Sequence, residues 1–331
     1  MPKPTSDLVS DFETIESVSI GSDIPNDLKT RVSWLYYMEG KTQDEIAQIV
    51  GSNRSKVLRI LAEARADGTV RIRVTSRLAR CVELETLLKQ KYGLSAAVVV
   101  PTPQEPGSLP SIIGLELGAY LSRRIESDMT VGFGWGRTLT SGIPAIDQRQ
   151  PSGVSVISLL GGLTKVSRVN PSEFAWRVAD RLAAECYMIA APVFAPDATT
   201  RDAIMNHPGI AEVIARARRM DLAVVSTGDL SPDSIFTRYG LLTHDEIISL
   251  ERAGAIGDVL CHFIDAEGRV IDHPVNDRAL AFHPADLKEA REVVLASGGW
   301  NKLTAIRASI NLLSPQVLIT DSVVAERLAV E

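Results

Sequence analysis

Between Asp27 and about Gly68, apolar residues recur with a helical period. Val32, Leu35, Tyr36 and Met38 predict one face of a first helix, which stops at Glu39-Gly40 because glycine tolerates the backbone that ends a helix. Thr42, three residues ahead of Glu45, has the spacing of a capping box and opens a second helix. Its apolar side is Ile46, Ala47, Ile49 and Val50, and Gly51 ends it. Ser52 or Asn53 starts a third helix, in which Val57, Leu58, Ile60 and Leu61 are the apolar set. That leaves Arg54, Ser55, Lys56 and Arg59 to face outward. After the turn signal Asp67-Gly68, residues 69–74 alternate as a short strand does.

Further along, the period changes. Short apolar runs at 96–100, 130–133, 154–160, 186–191, 222–226, 259–264 and 317–320 predict strands. They alternate with helical patterns at 111–125, 172–185, 208–220, 244–253, 284–295 and 302–312. Continuous apolar strands interleaved with helices predict a largely parallel sheet covered on both faces. Residues 76–93 read as one more amphipathic helix: a linker, an oligomerisation element or the first helix of the next domain. Residues 1–26 are polar and Ser-rich without a sustained period, and read as a flexible tail. The fold class expected is therefore α/β: a tail (1–26), an all-α, winged helix-turn-helix domain (27–77) and a larger α/β domain (78–331) with a mostly parallel sheet.

Charge sharpens this division. The chain of 331 residues carries a net charge of −6, distributed as −4 over 1–26, +4 over 27–77 and −6 over the remainder. An acidic protein with one basic block is expected to meet a polyanion through that block alone. No run of 18 apolar residues predicts a membrane span, and the N-terminus does not read as a signal peptide. The three cysteines, Cys81, Cys186 and Cys261, are too scattered for a disulfide framework or a metal cluster. A reducing cytoplasm is the expected compartment, with no cofactor and no metal.

Counted from Gln43, Ala47 falls at the fifth position, Gly51 at the ninth, Val57 at the fifteenth and Ile60 at the eighteenth. A small residue lets two helices cross, glycine allows a tight turn, and the apolar pair packs the second helix on the first. This is helix-turn-helix spacing, and the second helix of such a motif enters the major groove. Between Arg54 and Arg73 there are six basic residues against two acidic ones. The expected contacts with double-stranded operator DNA are Thr42, Gln43, Ser52, Asn53, Arg54, Ser55, Lys56 and Arg59. Arg71 and Arg73, on the short strand, would reach phosphate as the wing of a winged variant does.

Ligands of parallel sheets sit beyond the carboxyl ends of the strands. In GFGWGRTL (132–139), Gly134 and Gly136 let backbone N–H groups approach an anion, Arg137 adds charge and Thr138 a hydroxyl. LLGGLTK (159–165) supplies Gly161 and Gly162, followed by Lys165 and Arg168. STGDL (226–230) supplies Gly228, and GGWNKLTAI (298–306) puts Lys302 at a helix start. Asp258 offers a carboxylate to sugar hydroxyls. Small residues, donors and cations at one sheet edge suit a phosphorylated small molecule.

These segments, taken in order, resemble the SorC/DeoR-type sugar-binding bacterial transcriptional regulators over nearly the whole chain from about Asp27. The residues that carry the resemblance are 31–72, TVGFGWGRTL, LLGG, GAIGDV and the segment 298–328. The resemblance implies an effector domain related in fold to phosphosugar isomerases, and a homodimer or homotetramer that rearranges on operator DNA when a phosphorylated sugar or polyol binds. It also implies a phosphate loop at Gly136, Arg137 and Thr138, with Gly161 and Gly162 beside it, and ligand-holding roles for Asp258 and Lys302. Two places depart from the family pattern: Arg137, where some members carry a second Thr, and Cys261-His262, often Gly followed by Arg or Tyr. The competing expectation is a sugar-phosphate isomerase, which needs an acid and a base over the sugar. Asp197, Asp229, Asp258, His207 and His262 are its candidates, and none shows a paired arrangement in sequence.

Overall fold

The computed structural model describes residues 26–70, 79–164 and 170–330. The expected tail, the short strand with Arg71 and Arg73, and the cations Lys165 and Arg168 lie outside these, apart from Asn26 and the strand's first two residues. The chain divides into two compact units, Met1–Ile72 and Arg73–Glu331.

In the first unit α1 (Asn26–Tyr37), α2 (Gln43–Ile49) and α3 (Arg54–Ala66) enclose a small core of Val32, Leu35, Ile46, Ala47, Val57, Ile60 and Leu61. Both caps are as the sequence predicts. The Thr42 hydroxyl accepts from Glu45 N–H at 3.3 Å while the Glu45 carboxylate accepts from Thr42 N–H at 2.8 Å. Asn53 Oδ1 accepts from Lys56 N–H at 2.9 Å, so Asn53, not Ser52, caps α3. Gly51 takes φ +60° between the two helices, a conformation in which a side chain is strained. Three expected core residues turn outward: Met38, Ile49 and Leu58 are 67%, 46% and 52% exposed. A three-helix unit with a seven-residue α2 buries only a narrow stripe of each helix, and these positions lie beyond it.

The second unit is built on a seven-stranded sheet in the order β1-β10-β9-β5-β2-β3-β4, every neighbouring pair parallel. The strands are β1 (Ala96–Val100), β2 (Thr130–Phe133), β3 (Ser155–Ser158), β4 (Glu185–Tyr187), β5 (Leu222–Val225), β9 (Glu292–Ala296) and β10 (Val317–Asp321). A small antiparallel sheet adds β6 (Thr227–Gly228), β7 (Gly257–Val259) and β8 (His262–Ile264). The helices are α4 (Ala79–Tyr92), α5 (Leu109–Arg124), α6 (Arg137–Gly142), α7 (Pro171–Leu182), α8 (Ala198–Met205), α9 (Pro208–Ala217), α10 (Ile235–Arg238), α11 (His244–Arg252), α12 (Pro274–Asp277), α13 (Leu303–Leu313) and α14 (Ser322–Val330).

Successive residues of the inner strands serve two cores. Ala223, Val225, Val293 and Leu295 pack with α4, α9, α13 and α14; Leu222, Val224, Val294 and Ala296 pack with α5, α6 and α7. Burial on both faces is why these strands read as unbroken apolar runs. Helix α4 belongs to this unit, through Cys81, Leu84 and Leu88. Backbone contact between α5 and α6 needs glycine: a Cβ on Gly118 would lie 2.2 Å from the Gly142 carbonyl oxygen.

Two expectations are corrected. Residues 284–295 do not form one helix: a 3-10 turn, Pro284–Glu289, leads into β9, an inner strand. The run Val293-Val294-Leu295-Ala296 is fully buried and pairs on both edges, and this tertiary context overrides the helical pattern. Residues 259–264 are not one strand but a hairpin that turns at Leu260 and Cys261, φ +51° and +62°. The Asp258 carboxylate accepts the Cys261 N–H at 2.9 Å and holds this turn, which usually needs Asn or Gly. Helices α8, α10, α12 and α14 were not expected.

Candidate functional site

Two sites follow, one in each unit. In the first, α3 presents Arg54, Ser55 and Arg59 to solvent, with Lys56 half-buried beside them. Arg54 reaches back to α2: its Nε donates to Gln43 Oε1 at 3.3 Å, and Asp44 lies 3.9 Å from the guanidinium. Arg59 pairs loosely with Glu63 at 3.7 Å. Thr42 and Asn53 spend their side chains on the caps, and Ser52 gives its N–H to the Ala47 carbonyl at 2.8 Å. They fix the turn, while Gln43, Arg54, Ser55, Lys56 and Arg59 supply donors on its outer side.

In the second unit a cavity of about 500 Å³ opens beyond the carboxyl ends of the strands. Thr102 comes from the loop after β1, Gly136 and the first residues of α6 (Arg137, Thr138) follow β2, and β6 (Thr227–Gly228) with Asp229 follows β5. Gly298–Lys302 comes from the loop after β9, and Asp258 from β7. Thus six of the nine expected effector residues converge: Gly136, Arg137, Thr138, Gly228, Asp258 and Lys302. Gly134, Gly161 and Gly162 do not. Gly134 N–H is bonded to the Val224 carbonyl at 2.8 Å, and a Cβ there would sit 3.0 Å from the Leu260 side chain. Gly161 and Gly162 donate to the Leu280 and Ala191 carbonyls at 2.8 Å, and a Cβ on Gly161 would lie 2.4 Å from Pro192 O. These three glycines serve chain crossings rather than the cavity.

The cavity combines charges of both signs. Lys302 Nζ donates to the Thr227 carbonyl at 3.1 Å. Burial lowers its pKa, opposed by Asp229 and Asp258 and assisted by Arg137. Asp258 is buried, and desolvation raises its pKa from 3.8 to about 6 against the pull of the Cys261 N–H and Lys302. Gly228 makes room for it, since a Cβ there would lie 2.1 Å from Asp258 Oδ1. Asp229 is held on both oxygens, by Ser231 N–H at 3.0 Å and by the Asn301 amide at 2.9 Å. Gly136, at φ +125°, keeps open space where a Cβ would stand, and Arg137 beside it is exposed. The cavity therefore offers cations and backbone for an anionic group, with carboxylates beside Lys302 for hydroxyl groups.

Sequence reasoning missed Asp321, fully buried at the end of β10. It accepts from Thr102 Oγ1 at 2.6 Å and Gly299 N–H at 2.8 Å, tying two cavity loops together. An acid closing an apolar run on the ligand edge of a parallel sheet was its available signal. Trp135, Phe236 and Trp300 also line the cavity and were not singled out. Among the isomerase candidates, Asp197 and His207 are helix caps, bonded to Thr200 N–H at 2.8 Å and Gly209 N–H at 3.3 Å. His262 is buried outside the cavity lining, its pKa pushed down to about 3 by desolvation. Asp229 and Asp258 are the candidates that line the cavity.

The sugar-binding domain family model, Sugar-bind, matches residues 76–329. The erythritol catabolism regulatory protein EryD of Brucella abortus (strain 2308) is 29% identical over 309 residues, which cover 93% of this chain and 98% of that protein. The transcriptional regulator LsrR of Enterobacter sp. (strain 638) is 30% identical, over 90% of this chain and 91% of its own. The full-length sorbitol operon regulator SorC from Klebsiella pneumoniae superposes with a TM-score of 0.69 at 26% identity, covering 92% of this chain and 98% of that one. The chain belongs to the sugar-binding domain family, as a transcriptional regulator of the SorC/DeoR type. These relatives are regulators rather than enzymes, and they extend across both units. Among the described residues no helix is long and apolar enough to cross a membrane, and no cluster of three metal-ligating side chains occurs.

Proposed function

We propose that this protein regulates a carbohydrate catabolic operon in the cytoplasm, as a homodimer or homotetramer whose operator binding is set by a phosphorylated sugar or polyol. The observation that carries the reading is the charge layout of the cavity. Gly136, Arg137, Thr138 and Lys302 suit a phosphate, while Asp258 and Asp229 suit the hydroxyls of a short carbon chain. On this reading Arg54, Ser55, Lys56 and Arg59 meet the operator, Gln43 orients Arg54, and Thr42, Ser52 and Asn53 hold the turn. Arg71 and Arg73 add phosphate contacts. The coupling needs an effector that binds one arrangement of the oligomer more tightly than another; equal affinity for both would move nothing.

Thermal denaturation with a panel of sugar and polyol phosphates tests the ligand class, with an isomerisation assay on every hit. A phosphorylated compound is expected to raise the melting temperature and to be recovered unchanged. Stabilisation only by unphosphorylated sugars, or turnover of the stabilising ligand, would overturn the reading.

A further inference from the structure

The apolar period of α3 assigns Leu58 to the core, yet its side chain is 52% exposed. At 100° per residue, the buried residues Val57, Ile60, Leu61 and Ala64 occupy one arc of the helix. Ser55, Arg59 and the exposed Ala62 lie on the far side, Arg54 borders the buried arc beside Leu61, and Leu58 falls between Arg54 and the far side, one turn before Ala62. An exposed leucine alone needs no explanation. What marks this one is its position: an apolar branched side chain set between two arginines, on the face whose charge fits DNA. The only methyl group on a major-groove base edge is the C5-methyl of thymine, and apolar side chains read it.

We propose that Leu58 contacts the C5-methyl group of a thymine in the operator, making it a specificity-determining residue beside Arg54 and Arg59. The inference rests on α3 being the recognition helix. Four residues separate Leu58 from Arg54, a rise of about 6 Å along the helix. The two side chains therefore reach neighbouring base pairs rather than the same one. Arg54, steadied by Gln43 at 3.3 Å, supplies a planar donor fork, and Leu58 supplies shape without charge. The arginines set affinity and salt dependence; Leu58 distinguishes thymine from cytosine at one position.

The test uses the full-length protein and a retarded operator fragment in which thymines are replaced singly by deoxyuridine, which removes the methyl group alone. Wild-type protein is expected to lose about four-fold in affinity, the worth of one methyl-sized contact, at one thymine per half-site. Leu58→Ala should bind the parent operator about as weakly as wild type binds the substituted one, and should ignore that substitution. Its melting temperature should be unchanged, because the side chain lies outside the core. Leu58→Asn serves as a second variant and should also lose the thymine preference. Wild-type discrimination at no thymine, or unchanged discrimination in both variants, would overturn the inference while leaving the recognition helix intact. Retention of full operator affinity by Arg54→Ala would instead remove the recognition-helix reading on which it rests.

Discussion

Replacing Asp258 with Asn should stabilise the ligand-free protein while weakening effector binding. The carboxyl is buried, and desolvation raises its pKa from 3.8 to about 6 despite the Cys261 N–H and Lys302. The folded state therefore holds a proton that the unfolded chain has already released between those two values. Stability from this group is complete below about pH 4 and is lost as pH rises through 6. The interval is about two pH units, at about 1.4 kcal/mol each, so at neutral pH the buried charge costs on the order of 3 kcal/mol. Asparagine keeps an acceptor for the Cys261 N–H, at present 2.9 Å from the carboxylate, and removes the charge. Urea unfolding from pH 4 to pH 7, with and without effector, reads both effects. The variant should gain up to about 3 kcal/mol over wild type at pH 7, and the gain should vanish near pH 4. Its affinity for the effector should fall about ten-fold or more, the worth of a charge-assisted hydrogen bond. A variant less stable than wild type at pH 7, or a difference flat across the range, would refute the desolvation reasoning.

Exchanging Arg54 and Lys56 together for Ala should abolish retardation of an operator fragment and leave the melting temperature of the first unit unchanged, since both side chains lie outside its core. Thr42→Ala breaks the capping box of α2 and should cost about 1 kcal/mol, read as a lower unfolding midpoint with Arg54 and the rest of the outer face retained. Gly118→Ala forces a Cβ to within 2.2 Å of the Gly142 carbonyl and should destabilise the second unit by about 1–3 kcal/mol, with a matching loss of effector affinity as α6 shifts. An unchanged midpoint would mean that the α5–α6 crossing is looser than it stands here.

The sequence made some features readable because the local pattern and the tertiary demand agree. The caps at Thr42 and Asn53, the turn at Gly51 and the apolar strands β1, β2, β5 and β10 are of this kind. Where they disagree, reading fails. β9 carries a pattern that a helix also satisfies, and only its place between β10 and β5 makes it a strand. The hairpin at Leu260-Cys261 uses no turn residue, because Asp258 holds it from the side. The cavity was legible where glycine, cation and acid close an apolar run, as at Gly136, Gly228 and Lys302. The same logic misled at Gly134, Gly161 and Gly162, where glycine serves backbone crossings. Asp321 escaped notice because its partners, Thr102 and Gly299, lie far away in sequence.

The most direct test of coupling is the operator dissociation constant of the full-length protein, measured by fluorescence anisotropy with and without a saturating phosphorylated sugar or polyol that stabilises it. The expected result is a change of about five-fold or more, the span of ordinary allosteric coupling, that disappears in a Lys302→Met variant. The same dissociation constant in both conditions would contradict control of operator binding by the cavity.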